Sequence, residues 1–239
     1  NETILGLEAG YSYEVPNFSA RVDLYRTSWS DRVETSWRYR SQYGQIVSII
    51  QEGVSQVHQG IEISFSAKPQ EDVPYRLNGF LSIGDWVYEG EVLTNVFSED
   101  NDNLDSYSED VDGGKVGDAA QFTAGLGLDV DLADRLSFDS DIRFYDELYA
   151  NVGAVKNNLE VPNFHLVDMG LSYKMFVNDA TLDVRINVNN VFDNVYLSEL
   201  NSNIAAGEGT GVLYNGIDTA NQGYFGFGRT WNVGLRYNF

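Results

Sequence analysis

Cysteine is absent from this 239-residue chain, proline occurs only 4 times, and no apolar run approaches the ~18 residues that a membrane-crossing helix needs. Without cysteine there is no disulfide framework and no thiolate chemistry. Without the apolar run there is no helical span, but a strand-built span stays open, because half of every barrel strand is polar. Basic residues are scarce as well: 15 Lys+Arg stand against 36 Asp+Glu, a formal charge of −21. That balance repels phosphate and excludes nucleic acid as a partner, while permitting cations or a divalent-bridged lipopolysaccharide surface. The only histidines are His58 and His165. No nucleophile elbow accompanies His58, and Asp139 and Asp141 read as solvated charges beside Arg143, so the chain is not read as an enzyme.

What the chain has in abundance is alternation. Its last nine residues set Trp231, Val233, Leu235, Tyr237 and Phe239 against Asn232, Gly234, Arg236 and Asn238. A period of two is an extended strand with one apolar and one wet face. The pattern recurs along the whole sequence and predicts about nine strands, near 3–14, 17–33, 46–66, 75–88, 116–131, 135–148, 163–176, 180–194 and 224–239. Short turns follow the odd-numbered strands, and long connections (33–46, 88–116, 148–163 and 192–223) follow the even ones. This sorting is what outer-membrane barrels show, with apolar side chains toward lipid and polar ones toward the lumen. An ordinary antiparallel sheet with one solvated face competes, but strand length, loop asymmetry and the terminal Phe239 count against it. The expected fold is therefore all-β, a transmembrane antiparallel β-barrel in the cell outer membrane, touching lipid and lipopolysaccharide. An odd strand count leaves such a barrel incomplete, since an open sheet exposes its backbone edges to lipid.

Two stretches sharpen this. Asn187-Val188-Asn189-Asn190-Val191-Phe192-Asp193-Asn194-Val195-Tyr196 resembles the N-x-N-N-[LV]-F-[DN]-x-x-Y signature that precedes the last loop of TonB-dependent outer-membrane receptors. Gly228-Arg229-Thr230-Trp231 through Phe239 resembles that family's closing strand, with Gly228 where Pro is common. Segments 22–32 and 117–121 also read like receptor sequence, particularly of Bacteroidota. The resemblance implies that residues 1–239 are the C-terminal portion of a barrel of about 22 strands plugged by an N-terminal domain. It also implies uptake of a scarce nutrient (an iron chelate, a cobalamin-like molecule or a glycan), energised by the TonB complex through the N-terminal region. Partners would be the plug, the remaining strands, a small-molecule or glycan ligand and, in some relatives, a surface lipoprotein. A non-transporting structural or adhesion barrel is the alternative.

Ligand contacts are expected from Trp37, Arg38, Tyr39, Arg40 and Tyr43 around the first long connection, and from His58 on the lumen face. Trp29 is read as part of the interfacial aromatic girdle. No cofactor is expected, with one reservation. The stretch 88–114 is strongly acidic, and Asp100, Asp102 and Asp105 offer hard oxygens of the kind Ca²⁺ takes, though without EF-hand spacing. Calcium titration followed by proteolysis within 88–114 tests this: protection supports a bound cation, and unchanged cleavage ends the idea.

Overall fold

The computed structural model describes residues 1–40, 43–68, 73–178 and 180–239, with backbone alone at 37–40 and at 177. In chain order the strands are β1 (Thr3–Val15), β2 (Phe18–Arg40), β3 (Gln45–Ala67), β4 (Tyr75–Glu89), β5 (Glu91–Phe97), β6 (Asn103–Asp110), β7 (Phe122–Ala133), β8 (Leu136–Asp146) and β9 (Leu148–Tyr149). There follow β10 (Glu160–Val161), β11 (Phe164–Val177), β12 (Ala180–Asn189), β13 (Leu197–Leu200), β14 (Leu213–Tyr214), β15 (Ile217–Asp218), β16 (Gly223–Phe225) and β17 (Thr230–Asn238). One antiparallel wall runs β1-β2-β3-β4-β7-β8-β11-β12-β17. These are the nine strands that alternation predicts. The wall is open: among the described residues β1 and β17 each pair on one side only.

Register turns the alternation into two surfaces. Tyr11, Val22, Ile63, Leu81, Ala124, Phe144 and His165 lie directly across from one another and form one outer row. One residue along each strand, Gly10, Asp23, Glu62, Ser82, Thr123, Tyr145 and Phe164 form the neighbouring inner row. Leu126 and Phe144 stay 49% and 44% exposed although both their strands are paired on either side. In water such a face would be an aggregation surface; against hydrocarbon it is matched to its solvent. The outer belt ends at a polar ladder in which Arg26 donates to Gln59, Gln59 to Asp85 (3.1 Å), and Lys115 to Asp85 (2.8 Å).

The inner face is knitted by side chains. Arg185 bridges Asp139 (2.9 Å), Ser172 (3.1 Å) and Asn187 (2.7 Å), and Asn187 donates to Asn232 (2.9 Å). Arg143 pairs with Asp168. Fixed cross-strand partners of this kind hold register, because a slip of one residue would carry every charge to the lipid side.

Above the ladder the chain departs from its sequence reading. The expected long connection 33–46 is mostly strand: β2 and β3 continue paired as far as Arg40 and Gln45. A bulge resets their pairing where Asp31 (φ 58°) and Gly53 (φ 73°) take left-handed backbone. The acidic stretch 88–116 holds β5 and β6, and β5 pairs with the upper half of β3. The strand expected from 116 begins at Phe122, because the Gln121 side chain takes over the pairing with β4. Its Oε1 accepts from Trp86 N (2.9 Å), and its Nε2 donates to Trp86 O and Val116 O (3.1 Å each). The terminal strand begins at Thr230 rather than 224, since Gly223–Phe225 pairs with β13 instead.

The connections 148–163 and 192–223 pack on this upper sheet as a cap with an apolar core. Leu148, Ala150, Val152, Val161, Leu197, Leu200 and Ile217 form one cluster; Val54, Tyr88, Val92, Val111, Val116 and Ala154 form a second. Each fully buried aliphatic side chain contributes roughly 1.5–3 kcal/mol over an exposed one. Among the described residues the wall has no such core, so their packed interior lies almost wholly above the membrane belt.

In the whole receptor, Leu126→Arg on the outer face of β7 costs about 2–4 kcal/mol of unfolding free energy, and Thr123→Arg on its inner face about 1 kcal/mol or less. Denaturant unfolding followed by heat-modifiable electrophoretic mobility measures both.

Candidate functional site

Directly below the cap, the inner face of β2, β3 and β4 carries an aromatic pavement. Thr27, His58 and Trp86 lie across from one another; one inner step higher stand Trp29, Gln56 and Tyr88. Two glycines leave room for the rings. A Cβ on Gly60 would meet Tyr25 Oη at 2.6 Å, and one on Gly84 would meet Trp86 Nε1 at 2.8 Å. Tyr25 and Trp86 therefore reach over the space these glycines leave, and Trp86 Nε1 donates to Tyr25 Oη (2.9 Å). His58 stacks on Trp86, with ring centroids 4.9 Å apart and planes 13° from parallel, and meets the edge of Trp29 at 4.7 Å. The parity places Trp29 on the water-facing side, which corrects its reading as a girdle residue.

Two adjoining clefts open on this pavement. The lower, about 530 Å³, is lined by Glu8, Asp23, Trp29, His58, Glu62 and Trp86 among others. The upper, about 410 Å³, is lined by Arg32, Glu34, Gln56, Tyr88 and the backbone of 151–153 among others. Arg32 bridges Glu2 (3.2 Å) and Glu34 (3.5 Å). Burial above the belt pushes the Glu34 carboxyl up from its ordinary value, opposed by Arg32 and by a hydrogen bond with Tyr88. In this column two polar atoms are buried without a partner, Gln56 Oε1 and His58 Nε2.

The cap is held over the clefts by a few side chains that act as backbone. Gln51, buried on β3, donates to Ala154 O (2.7 Å) and accepts from Ala154 N (2.9 Å). Asp218 is wholly enclosed. Its carboxylate accepts the amides of Gly207 (3.3 Å), Thr210 (2.9 Å), Gly211 (3.0 Å) and Ala220 (2.9 Å), and the Thr210 hydroxyl (3.0 Å). These bonds, the Ala220 amide first, hold it far below the usual carboxylate range against the cost of burial.

The signature residues build the junction between β12 and the last connection. Asn190 takes φ 50°, a conformation Asn tolerates, and ends the strand there. Its amide nitrogen donates to Asn194 O (2.9 Å) and Phe227 O (3.2 Å), and its backbone N–H donates to Asp168 Oδ1 (2.8 Å). Asp193, at φ 55°, accepts from Arg229 N (2.7 Å) and pairs with the Arg229 guanidinium (3.7 Å). Tyr196 lies over Gly226 and stacks on Phe164 (4.3 Å). Asn187 bonds Asn232, and Asn189 bonds Thr230 (3.1 Å), across to β17. Phe192 and Phe239 are exposed.

The remaining candidates scatter. The side chains of Trp37, Arg38, Tyr39 and Arg40 lie outside the described residues. Tyr43 packs on Val47, Ile49 and Val96 and donates to Asp105 Oδ2 (3.3 Å), so it braces the cap. Among the described residues no three acidic or histidine side chains gather to hold a metal. Asp100 and Asp102 instead give their backbone amides to Ser98 Oγ (3.2 and 3.1 Å), while Asp105 sits on β6. Of the named ligand candidates the described residues place only His58 in the clefts. Sequence reading missed its neighbours Gln56 and Trp86, and the latches Gln51, Gln121 and Asp218, because a lone Gln or Asp carries no periodic signal. Trp86 did show its inner parity; Gly84, two residues before it on the same strand face, was the further clue.

Comparison with known proteins fits this architecture. Residues 1–191 match the family model described as TonB dependent receptor-like, beta-barrel. Among solved structures, the ferric-catecholate import receptor Fiu of E. coli K12 superposes with a TM-score of 0.61 at 18% identity, over 99% of this chain and 27% of that one. The siderophore receptor PiuA of Acinetobacter baumannii gives 0.55 at 13% identity, over 97% of this chain and 35% of that one. The chain thus spans about a third or less of these receptors, and at such identities the likeness is one of fold. A search of curated proteins finds no match.

Asp218→Asn replaces an acceptor oxygen with an NH2 group facing amide donors. Limited proteolysis should cut 204–222 in this variant at neutral pH, where the parent chain resists. Because Asp218 has a depressed folded-state pKa, its contribution is complete above the ordinary carboxylate pKa of about 3.9 and fades only as pH falls below it. The parent's resistance is therefore flat from pH 8 to about 4.

Proposed function

Because the chain belongs to the TonB dependent receptor-like, beta-barrel family, we propose that it is the wall and outer cap of an outer-membrane active-transport receptor. The observation that carries this reading is the placement of the clefts. They lie on the water-facing side of a lipid-matched wall, immediately beneath a packed cap, where a solute entering from outside would first meet the lumen. Solute would bind between cap and pavement and pass inward once a plug domain rearranges, driven by the TonB complex through the N-terminal region. The cargo is a scarce nutrient: an iron chelate, a cobalamin-like molecule or a glycan. Those parts, and a surface lipoprotein where one is used, belong to the whole receptor.

The wall supports passage rather than catalysis. Several of its inner charges are paired, Arg21 with Asp23 two residues along the same strand (2.5 Å) and Arg185 with Asp139 across the sheet, as suits the lining of a wet channel. Neither a cofactor nor Ca²⁺ has a part in this reading.

Deleting the whole receptor's gene should abolish growth on at least one of these three nutrient classes when it is limiting. Removing only the TonB-contacting segment should have the same effect. Normal growth on all three with loss of surface attachment would instead mark a structural or adhesion barrel.

A further inference from the structure

The clefts carry more than a position. The strand column Gln56–His58 presents two buried, unpartnered polar atoms two residues apart on one face of β3, about 7 Å along the strand. Gln56 is only 5% exposed, so its bare Oε1 has lost water without gaining a protein partner, a cost of about 1–3 kcal/mol that a ligand can relieve. A carboxamide and a neutral imidazole each offer both a donor and an acceptor. The ligand group that suits both, whichever way they turn, is a hydroxyl.

Charge narrows the choice further. Among the described residues the cations lining the two clefts are Arg21 and Arg32, and each is already paired, with Asp23 in one case and with Glu2 and Glu34 in the other. Glu8 and Glu62 line the lower cleft as well. Among these described residues an anionic chelate would find no free cation and several carboxylates, and an ammonium would face the Arg32 guanidinium. Trp86 lies across from His58 and Tyr25 one inner step below it, over the space that Gly84 and Gly60 leave, with the His58 ring parallel to that of Trp86. A flat aromatic face next to planar polar side chains accommodates the C–H face of a ring whose rim carries hydroxyls.

We propose that this column binds an uncharged polyhydroxylated ring, a saccharide, stacked on Trp86 and Tyr25 and hydrogen-bonded to Gln56 and His58. The proposal rests on the receptor reading above and names its substrate class.

The test uses the whole receptor in detergent, titrated with cellohexaose, xylohexaose, laminarihexaose and maltohexaose and, separately, with a ferric tris-catecholate complex. Tryptophan fluorescence and calorimetry report binding. At least one hexasaccharide should bind with an affinity insensitive to salt. Gln56→Met, which keeps volume but removes the amide, and His58→Phe, which keeps the stack but removes Nε2, should each weaken it about tenfold, the loss of roughly 1.4 kcal/mol expected for an unmade buried hydrogen bond. Trp231→Phe on the outer face should change nothing. Folding of each variant is checked by heat-modifiable mobility, and Trp86→Phe, which needs no new contact, serves should either fail to fold; it too should weaken binding. Silence of all four sugars overturns the proposal, as does sugar binding that the folded column variants leave unchanged. Tight binding of the ferric complex alone overturns the saccharide while leaving the receptor reading intact.

Discussion

In hydrocarbon no water is available to satisfy a backbone N–H or C=O, so every such group must find a partner within the sheet. That constraint governs the rest of this chain. It requires long strands in continuous antiparallel register, here β1-β2-β3-β4-β7-β8-β11-β12-β17. It also makes the period-two pattern unusually strict, because a one-residue slip would put Asp23, Glu62 and Asp139 into lipid and Val22, Ile63 and Phe138 into the lumen. The constraint lapses at the Arg26–Gln59–Asp85–Lys115 ladder, and the architecture changes there. Above it bulges appear, strands leave the wall to pair elsewhere, and an apolar core forms.

The two regimes explain why the chain looks polar by composition yet carries so much bare apolar surface. A protein in water hides its aliphatic side chains from its surroundings; this wall turns Leu126, Phe144, Leu171 and Ile186 toward them. The upper sheet beneath the cap, in water, returns to the ordinary rule and buries Val47, Val54, Val92 and Val111. One sequence thus obeys opposite patterning rules in its two halves, and mean hydropathy, which averages them, describes neither.

This division also marks what could be read from the amino acids. The wall was legible because one physical rule repeats in every strand: the cross-strand partners of Val22, Leu126 and Ile186 follow from parity once turns such as Pro16-Asn17 and Ala133-Asp134 are placed. His58 was legible as a lumen residue for the same reason. The cap was not. Its hairpin β5–β6 has the composition of a solvated loop, since only one of its faces meets apolar neighbours and the other is free to be acidic. The side chains that fix it act singly. Gln51, Gln121 and Asp218 substitute for backbone partners at places where the chain leaves regular structure, and nothing in local sequence distinguishes them from surface residues of the same type. Asn190 is the exception, because a left-handed turn at a strand end restricts the residue type enough to leave a motif behind.

Glycine links the wall to the site. On the inner face a missing side chain is an opening that a neighbour fills, from the next strand for Asp23 over Gly10, Asp139 over Gly170, Phe80 over Gly125 and Tyr25 over Gly60, and from the same strand for Trp86 over Gly84. Where the filler is a carboxylate, the result is a tight ionic lattice that fixes register. Where it is aromatic, the ring extends over the glycine instead of being held off by a side chain there. The aromatic cases on β2, β3 and β4 fall side by side beneath the cap. A binding surface therefore arises here from what those strands omit: two glycines make room for Tyr25 and Trp86 to reach across the wall, and so help decide what shape of solute the upper lumen can hold.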